Sequence, residues 1–172
     1  FIMGPATLGL AVFVKETLIQ DFSILAYLET SMACGMIVGS IMYWFLNKYV
    51  KLINLLIIGI IMDGLTFCLL YFAQVNFVAM LILFIHGIGI PLIMISRTTI
   101  IQRVIPDKLR GRIFSMFHMS VIGTTAVSIA ITGIILEYMD TQKLFLLIGL
   151  CGALCASIVF IPNLNRLEEK AN

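Results

Sequence analysis

The chain has 172 residues, a formal net charge of +2 and only 12% charged residues, whereas hydrophobic residues make up 61% and the mean hydropathy is +1.11. An ordinary soluble domain carries roughly 45–50% apolar and about 25% charged residues. This chain has too few polar residues to cover its apolar residues in a water-soluble fold. The composition therefore excludes a soluble globular domain, a disordered chain and a nucleic-acid-binding protein with a basic face.

Continuous apolar runs, rather than alternating ones, indicate membrane-spanning helices, each of which needs about 20 mainly apolar residues. We predict an all-α integral membrane bundle of about six transmembrane helices, forming one unit over residues 1–172. The first predicted span is too short to cross the bilayer, and Phe1 opens within an apolar run, so we expect the chain to be part of a longer protein. In chain order, the predicted spans are residues 1–14, 23–46, 52–73, 77–95, 113–136 and 144–161.

The longest polar stretch runs from about residue 97 to 112, with Pro106 as a helix breaker at its centre. Nine of the eleven Lys and Arg residues fall on the side of the membrane that holds this stretch and the charged tail, residues 163–172. Cytoplasmic loops are the ones enriched in basic residues. We therefore predict a cytoplasmic loop at about 97–112 and a cytoplasmic C-terminus, in a multi-pass protein of the plasma or inner membrane. The nine are Lys48, Lys51, Arg97, Arg103, Lys108, Arg110, Arg112, Arg166 and Lys170; Lys15 and Lys143 lie opposite.

Three ionisable side chains fall well inside predicted spans: Glu29 in the second, Asp63 in the third and His86 in the fourth. Such groups are costly in a membrane and are candidates for function. Glu29 can bind a proton or a cationic substrate, or it can be hydrogen-bonded to its neighbours. Asp63 can be a transport residue or a neutral, hydrogen-bonded acid. His86 can relay protons near neutral pH, or bond as a neutral ring to an adjacent helix.

Small residues break the apolar pattern at two places. Gly35 and Gly39 form a G-x-x-x-G pair, which predicts close helix packing. Gly87, Gly89 and Pro91 cluster in the fourth span, where proline removes a backbone hydrogen bond. We interpret this second cluster either as a helix hinge or as a packing site.

No pattern for catalysis or cofactor binding is present in the sequence. There is no nucleophile-plus-base arrangement, no phosphate-cradling loop and no metal-ligand spacing. The four cysteines lie in apolar runs without a Cys-x-x-Cys pair, which is typical of small buried hydrophobic residues. We predict that the protein is not an enzyme and has no cofactor or metal.

The stretch around Pro106 resembles the loop between the tenth and eleventh helices of the major facilitator superfamily. The residues that fit its pattern are Gln102, Pro106, Asp107, Gly111, Arg112, Phe114 and Ser115. With the surrounding spans, the chain resembles the C-terminal half of a twelve-helix facilitator. The resemblance implies that this stretch acts as a cytoplasmic gating loop, together with Arg110, and that the helices matching the second and fourth spans line the transport cavity. Gly4-Pro5 and residues 13–16 are loosely similar to bacterial drug-efflux members of the macrolide type.

This resemblance implies two six-helix halves that rock around a midplane site. We expect proton-coupled secondary efflux of a small hydrophobic or amphipathic compound by alternating access. The expected partners are that small-molecule substrate, protons, the lipid bilayer and a missing N-terminal six-helix half, with no nucleic acid. Two alternatives stay open, namely facilitated or proton-linked uptake of a nutrient by the same fold, and a membrane interaction partner that transports nothing.

Overall fold

The computed structural model describes residues 4–16, 18 and 23–159, with side chains described up to residue 154. All regular structure in these residues is helical, which confirms the predicted all-α class. The first helix begins with a π-helical segment, Pro5–Gly9, and continues as α1, Leu10–Glu16. The others are α2 (Ser23–Leu46), α3 (Leu52–Leu70), α4 (Asn76–Val104), α5 (Asp107–Leu136) and α6 (Thr141–Val159).

Four of these helices, α2 to α5, are long and apolar enough to cross a membrane. The second predicted span, residues 23–46, coincides with α2. The third predicted span is three residues too long, because the chain leaves α3 after Leu70 and turns over the following residues. Residues 1–3, the end of the last predicted span at 161 and the tail at 163–172 lie outside the described residues.

The polar stretch predicted as a cytoplasmic loop at 97–112 is mostly helical, and its position relative to the membrane stays a prediction. α4 continues to Val104 and α5 begins at Asp107, so only Ile105 and Pro106 separate two long helices. Hydropathy falls at Arg97, but Arg, Gln and Lys are good helix formers and do not end a helix. Pro106 does, because it cannot donate the backbone hydrogen bond that would continue α4. We call this connection, residues 97–112, the helical elbow.

Glycines bring the backbones of neighbouring helices into direct contact at three crossings. Where α2 meets α4, a Cβ on Gly35 would strike the carbonyl oxygen of Phe84, and one on Gly87 would strike that of Met32. A Cβ on Gly59 of α3 would lie 2.7 Å from Ile93 on α4. Small residues permit such close approach in membrane bundles, and α4 is thereby held between α2 and α3. The third crossing joins α3 to α6 through Gly64 and Gly149.

Aromatic rings form the centre of the larger core cluster and connect four helices. Phe13 of α1 lies 5.6 Å from Phe145 of α6, which lies 5.7 Å from Phe67 of α3, measured between ring centroids. The edge-on ring of Phe67 then lies 5.1 Å from that of His86 on α4. These separations are those preferred by interacting aromatic rings. This series of ring contacts ends at the titratable ring of His86, which is therefore part of the core.

α5 is the least enclosed helix, with only Ser128 and Thr132 buried along thirty residues. Its closest backbone contact is with the π-helical segment, since a Cβ on Gly4 would lie 2.7 Å from the amide nitrogen of Ile129. The exposed side chains of its first half include Met116, Met119 and Ile122. The bundle therefore consists of a close-packed group, α2, α3, α4 and α6, and a more peripheral α5.

Candidate functional site

Asp63, Thr66 and His86 meet between α3 and α4. His86 Nδ1 lies 2.9 Å from Thr66 Oγ1 and 3.6 Å from Asp63 Oδ1. The ring of His86 and the hydroxyl of Thr66 are buried, and the Asp63 side chain is 15% exposed. We call these three residues the polar cluster. Its Asp63–His86 contact is the one acid–base contact between two helices among the ion pairs of the described side chains.

Helix geometry places the two α3 members together, because residues three apart lie on one face of a helix. The Thr66 hydroxyl also bonds back to its own helix, 2.9 Å from the carbonyl oxygens of Met62 and Asp63. The glycine crossing holds the partner helix close, since the site of a Cβ on Gly89 lies 3.3 Å from Met62 Cβ. The cluster therefore lies beside the crossing of α3 and α4 at Gly59 and Gly89.

The apolar surroundings of the polar cluster raise the free energy of any charge placed on it. Phe67 covers the His86 ring edge-on, and buried aliphatic residues of the core surround both. In such a medium a charge is stabilised mainly by a partner charge or a hydrogen bond, because water is excluded. Asp63 and His86 are each other's nearest partner of this kind, with His86 Nδ1 3.6 Å from Asp63 Oδ1.

Glu29 lies apart from the polar cluster. Its side chain is exposed on α2, whereas α2 packs on α4 through Gly35 and Gly39. Close by, the Thr30 hydroxyl donates to the carbonyl oxygen of Ala26 at 2.7 Å, and the Ser31 hydroxyl donates across to that of Met80 on α4 at 2.8 Å. Of the three ionisable residues singled out in the sequence, the fold brings Asp63 and His86 together and leaves Glu29 on the outer surface of α2.

The three hinge candidates lie in an unbroken helix. α4 passes through Gly87, Gly89 and Pro91 without interruption, and all three residues are buried. Gly87 and Gly89 contribute to the crossings with α2 and α3. Bending at Pro91 stays a prediction; the observed role of the two glycines is close helix packing.

The gating residues predicted for residues 97–112 lie on the helical elbow. Arg110 Nη2 donates to the carbonyl oxygen of Gln102 at 3.1 Å and pairs with Asp107 at 2.6 Å. The first bond ties the first turn of α5 back to the last turn of α4, and the ion pair lies within α5. Gly111 and Arg112 are exposed, with no atom within 4 Å of a Cβ at Gly111.

Arg97 and Phe117 form a contact that the sequence reasoning missed. Arg97 was assigned to a loop, but it lies on α4, and its guanidinium carbon is 4.7 Å from the centroid of the Phe117 ring on α5. Its Nε is buried and lacks a hydrogen-bond partner among the described residues. The contact follows from the elbow, which folds the first half of α5 back beside the end of α4.

Replacing Phe117 by Leu is expected to lower the free energy of unfolding by about 0.5–2 kcal/mol, the range measured for cation–π contacts. The measurement is unfolding in mixed detergent micelles, followed by circular dichroism. Met116→Leu is the matched control, because Met116 is the exposed neighbour at 70% exposure. Equal stability of the two variants would contradict a stabilising Arg97–Phe117 contact.

A second polar region lies at the opposite end of the bundle, where α1 ends and α6 begins. A groove of about 490 Å³ is lined there by Glu16, Gln74, Asp140, Thr141 and Gln142. Thr141 donates to Glu16 at 3.3 Å. A hydrogen bond and ion pair with Lys143 at 2.8 Å lower the pKa of the Asp140 carboxyl, and the same contacts raise the pKa of Lys143. The groove is open to solvent and joins helix ends.

A bundle of apolar helices, long enough to span a bilayer and built around a buried acid–histidine pair, is the architecture of a polytopic membrane transporter. The sequence model of the Major Facilitator Superfamily matches residues 1–172, the whole chain. The chain therefore belongs to the Major Facilitator Superfamily, and it is a multi-pass integral membrane protein of the transporter class. No solved structure matches it at a significant level.

Proposed function

We propose that the chain is the C-terminal half of a proton-coupled secondary transporter that exports small hydrophobic or amphipathic compounds by alternating access. The observation that carries this proposal is the polar cluster. Asp63 and His86 are 3.6 Å apart on two close-packed membrane helices, in a core that is otherwise nearly all apolar. Ionisable residues in membrane helices are retained chiefly at ion and substrate pathways.

Proton coupling fits the chemistry of this pair better than coupling to a metal cation. Histidine takes up and releases a proton near neutral pH, and a neighbouring carboxylate balances the resulting charge. A hard cation such as Na⁺ or Mg²⁺ prefers several oxygen ligands. The cluster offers only Asp63, Thr66 and an imidazole.

The surfaces of α2 and α5 support an apolar cargo. α2 exposes Tyr27, Ile37 and Trp44, and α5 exposes Met116 and Met119. Flexible, polarisable methionines adapt to ligands of varied shape. Between residues 113 and 136 the only ionisable side chain of α5 is His118, so this surface suits a cargo with little charge.

The orientation is also proposed, with the helical elbow and the C-terminus in the cytoplasm of a plasma or inner membrane. The elbow carries five of the eleven basic residues, and basic residues accumulate on the cytoplasmic side. An N-terminal six-helix half would cover the exposed faces of α2 and α5 and complete the cavity.

The experiment that tests this function uses the transporter reconstituted into lipid vesicles with an imposed pH gradient. Ethidium serves as the fluorescent amphipathic probe, and a pH dye inside the vesicles reports proton movement. Ethidium movement against its own gradient, with protons flowing in the opposite direction, is the expected result. Ethidium movement that ignores the pH gradient would overturn proton antiport, and co-movement of protons with a nutrient would favour uptake. No movement of any probe in either direction would favour a non-transporting partner.

Glu29 is proposed as a contact for cationic cargo. Glu29→Gln is expected to raise the KM for ethidium about tenfold, the equivalent of 1.4 kcal/mol, because a single exposed carboxylate that faces a cavity attracts a cation. The response to a pH gradient should persist, since the polar cluster is intact. The KM is measured in the same vesicles, with Glu137→Gln as the control for loss of an exposed acid. An unchanged KM would remove Glu29 from the binding surface.

A further inference from the structure

The hydroxyl of Thr66 constrains which ring nitrogen of His86 carries a proton. A threonine hydroxyl has one proton to donate and lone pairs to accept with. Thr66 Oγ1 lies 2.9 Å from two carbonyl oxygens of its own helix and 2.9 Å from His86 Nδ1. When the hydroxyl proton is directed to a carbonyl, the oxygen presents a lone pair to the ring. Nδ1 must then be the donor.

Asp63 provides a second argument for the same arrangement. Its Oδ1 lies 3.6 Å from the same Nδ1, and an ionised carboxylate can only accept hydrogen bonds. A protonated Nδ1 donates to Thr66 Oγ1 at 2.9 Å and faces the negative carboxylate at 3.6 Å. An unprotonated Nδ1 would direct its lone pair at that carboxylate and would require Thr66 to give up its bond to the helix carbonyls, which is unfavourable in a buried site.

We infer that Thr66 is a positioning residue that holds neutral His86 as its Nδ1–H tautomer, so that Nε2 is the nitrogen that takes up the transported proton. The assignment of a proton-carrying role rests on the proposed function. On loading, a proton from water binds the Nε2 lone pair and the ring becomes an imidazolium. Nδ1–H stays directed at Thr66 and Asp63, and the carboxylate balances the new charge. On release, the proton leaves Nε2 and the ring is neutral again.

Other titratable groups on the surrounding helices do not enter the cluster. Over the side chains described for α1 to α4 and α6, no ion pair or hydrogen bond joins any of them to Asp63 or His86. Thr66 is therefore the only neutral side chain seen to bond the ring. The other titratable groups on these helices are Lys15 and Glu16 on α1; Tyr27, Glu29, Cys34 and Tyr43 on α2; Cys68 on α3; Arg97 and Arg103 on α4; and Lys143 and Cys151 on α6.

Nuclear magnetic resonance of ¹⁵N-labelled histidine, with the protein in lipid bilayers, tests the tautomer directly. The chain contains two histidines, so the signals of His86 are assigned by their loss in His86→Gln. The pattern of couplings to the ring carbons and protons tells Nδ1 from Nε2. Exposed His118 is the internal control, and we expect it to favour the Nε2–H tautomer as free histidine does in water.

In the wild type we expect the neutral His86 ring to be mainly Nδ1–H, with Nε2 becoming protonated as the pH falls. Thr66→Val keeps the shape of the side chain but removes the hydroxyl, and it should turn the Nδ1–H form from the majority into the minority. Thr66→Ser should restore the majority. A mainly Nε2–H ring in the wild type would overturn the inference, even if the valine variant fails to insert. An unchanged tautomer ratio in a folded Thr66→Val protein would also overturn it.

The two proposals fail in different ways. An Nδ1–H tautomer together with ethidium transport that ignores the pH gradient would overturn the proposed coupling and leave the positioning role of Thr66 standing. An Nε2–H tautomer together with gradient-driven transport would overturn only the role of Thr66.

Discussion

Replacing Asp63 by Asn or His86 by Gln is expected to abolish the response of ethidium transport to a pH gradient. Each substitution roughly keeps the size and polarity of the side chain but removes one titratable member of the pair proposed to hold the proton. The two side chains are 3.6 Å apart in a buried, close-packed contact. Because they act as a unit, the double variant should be no worse than either single one. In a double-mutant cycle on unfolding we expect a coupling free energy of roughly 0.5–3 kcal/mol, the range for residues within one hydrogen-bonded network.

His118→Gln and Glu137→Gln are the matched controls for this cycle, since both parent residues are exposed and lie outside the polar cluster and the elbow. They should keep the full pH-gradient response. Additive effects of Asp63→Asn and His86→Gln, or a normal gradient response in either variant, would show that the pair does not carry the proton. Circular dichroism in the same detergent separates loss of coupling from loss of folding.

The second large effect is expected at the crossing of α2 and α4. Gly35→Ala and Gly87→Ala each place a methyl group against a carbonyl oxygen of the facing helix, and backbone cannot move aside as a flexible side chain can. Overpacking of this kind costs roughly 1–3 kcal/mol, and the larger Gly35→Val should cost more than Gly35→Ala. The measurement is the denaturant concentration at which half of the helical signal is lost, in mixed micelles.

Gly123→Ala on α5 is the control for this pair, because nothing lies within 4 Å of a Cβ at Gly123. Alanine is favoured over glycine within a helix by about 1 kcal/mol, so this variant should be as stable as the wild type or slightly more so. If Gly35→Ala and Gly123→Ala unfolded at the same midpoint, the close approach of α2 and α4 would be refuted.

The sequence was sufficient to predict the helical membrane bundle and most helix positions. Hydropathy reports which residues leave water, and α2 begins and ends where the apolar run does. Hydropathy did not predict that α4 continues past Arg97, because a helix ends where its hydrogen bonding is interrupted and not where charged residues begin. Pro106 was the correct signal there, and the basic residues around it were misleading.

The site was only partly predictable. Asp63 and His86 were both predicted as candidates because an ionisable side chain raises the free energy of a helix within a membrane. Nothing in the sequence shows that they are neighbours, since their pairing depends on how α3 crosses α4. Thr66 was missed, although its spacing of three from Asp63 places both on one helix face. Arg97 was missed as a contact because it was counted with a loop. Such pairings between helices depend on tertiary packing, which periodicity along one helix does not encode.

The length of α4 links the helical elbow to the physical thickness of the membrane. At 1.5 Å per residue, its 29 residues extend roughly 43 Å, while the hydrocarbon layer is about 30 Å thick. A hydrogen-bonded helix cannot shorten, so a thinner or thicker bilayer changes either the tilt of α4 or the height at which it emerges. Arg110 of α5 is hydrogen-bonded to Gln102 in the last turn of α4. A change in lipid chain length therefore shifts the position of the residues that join α4 to α5.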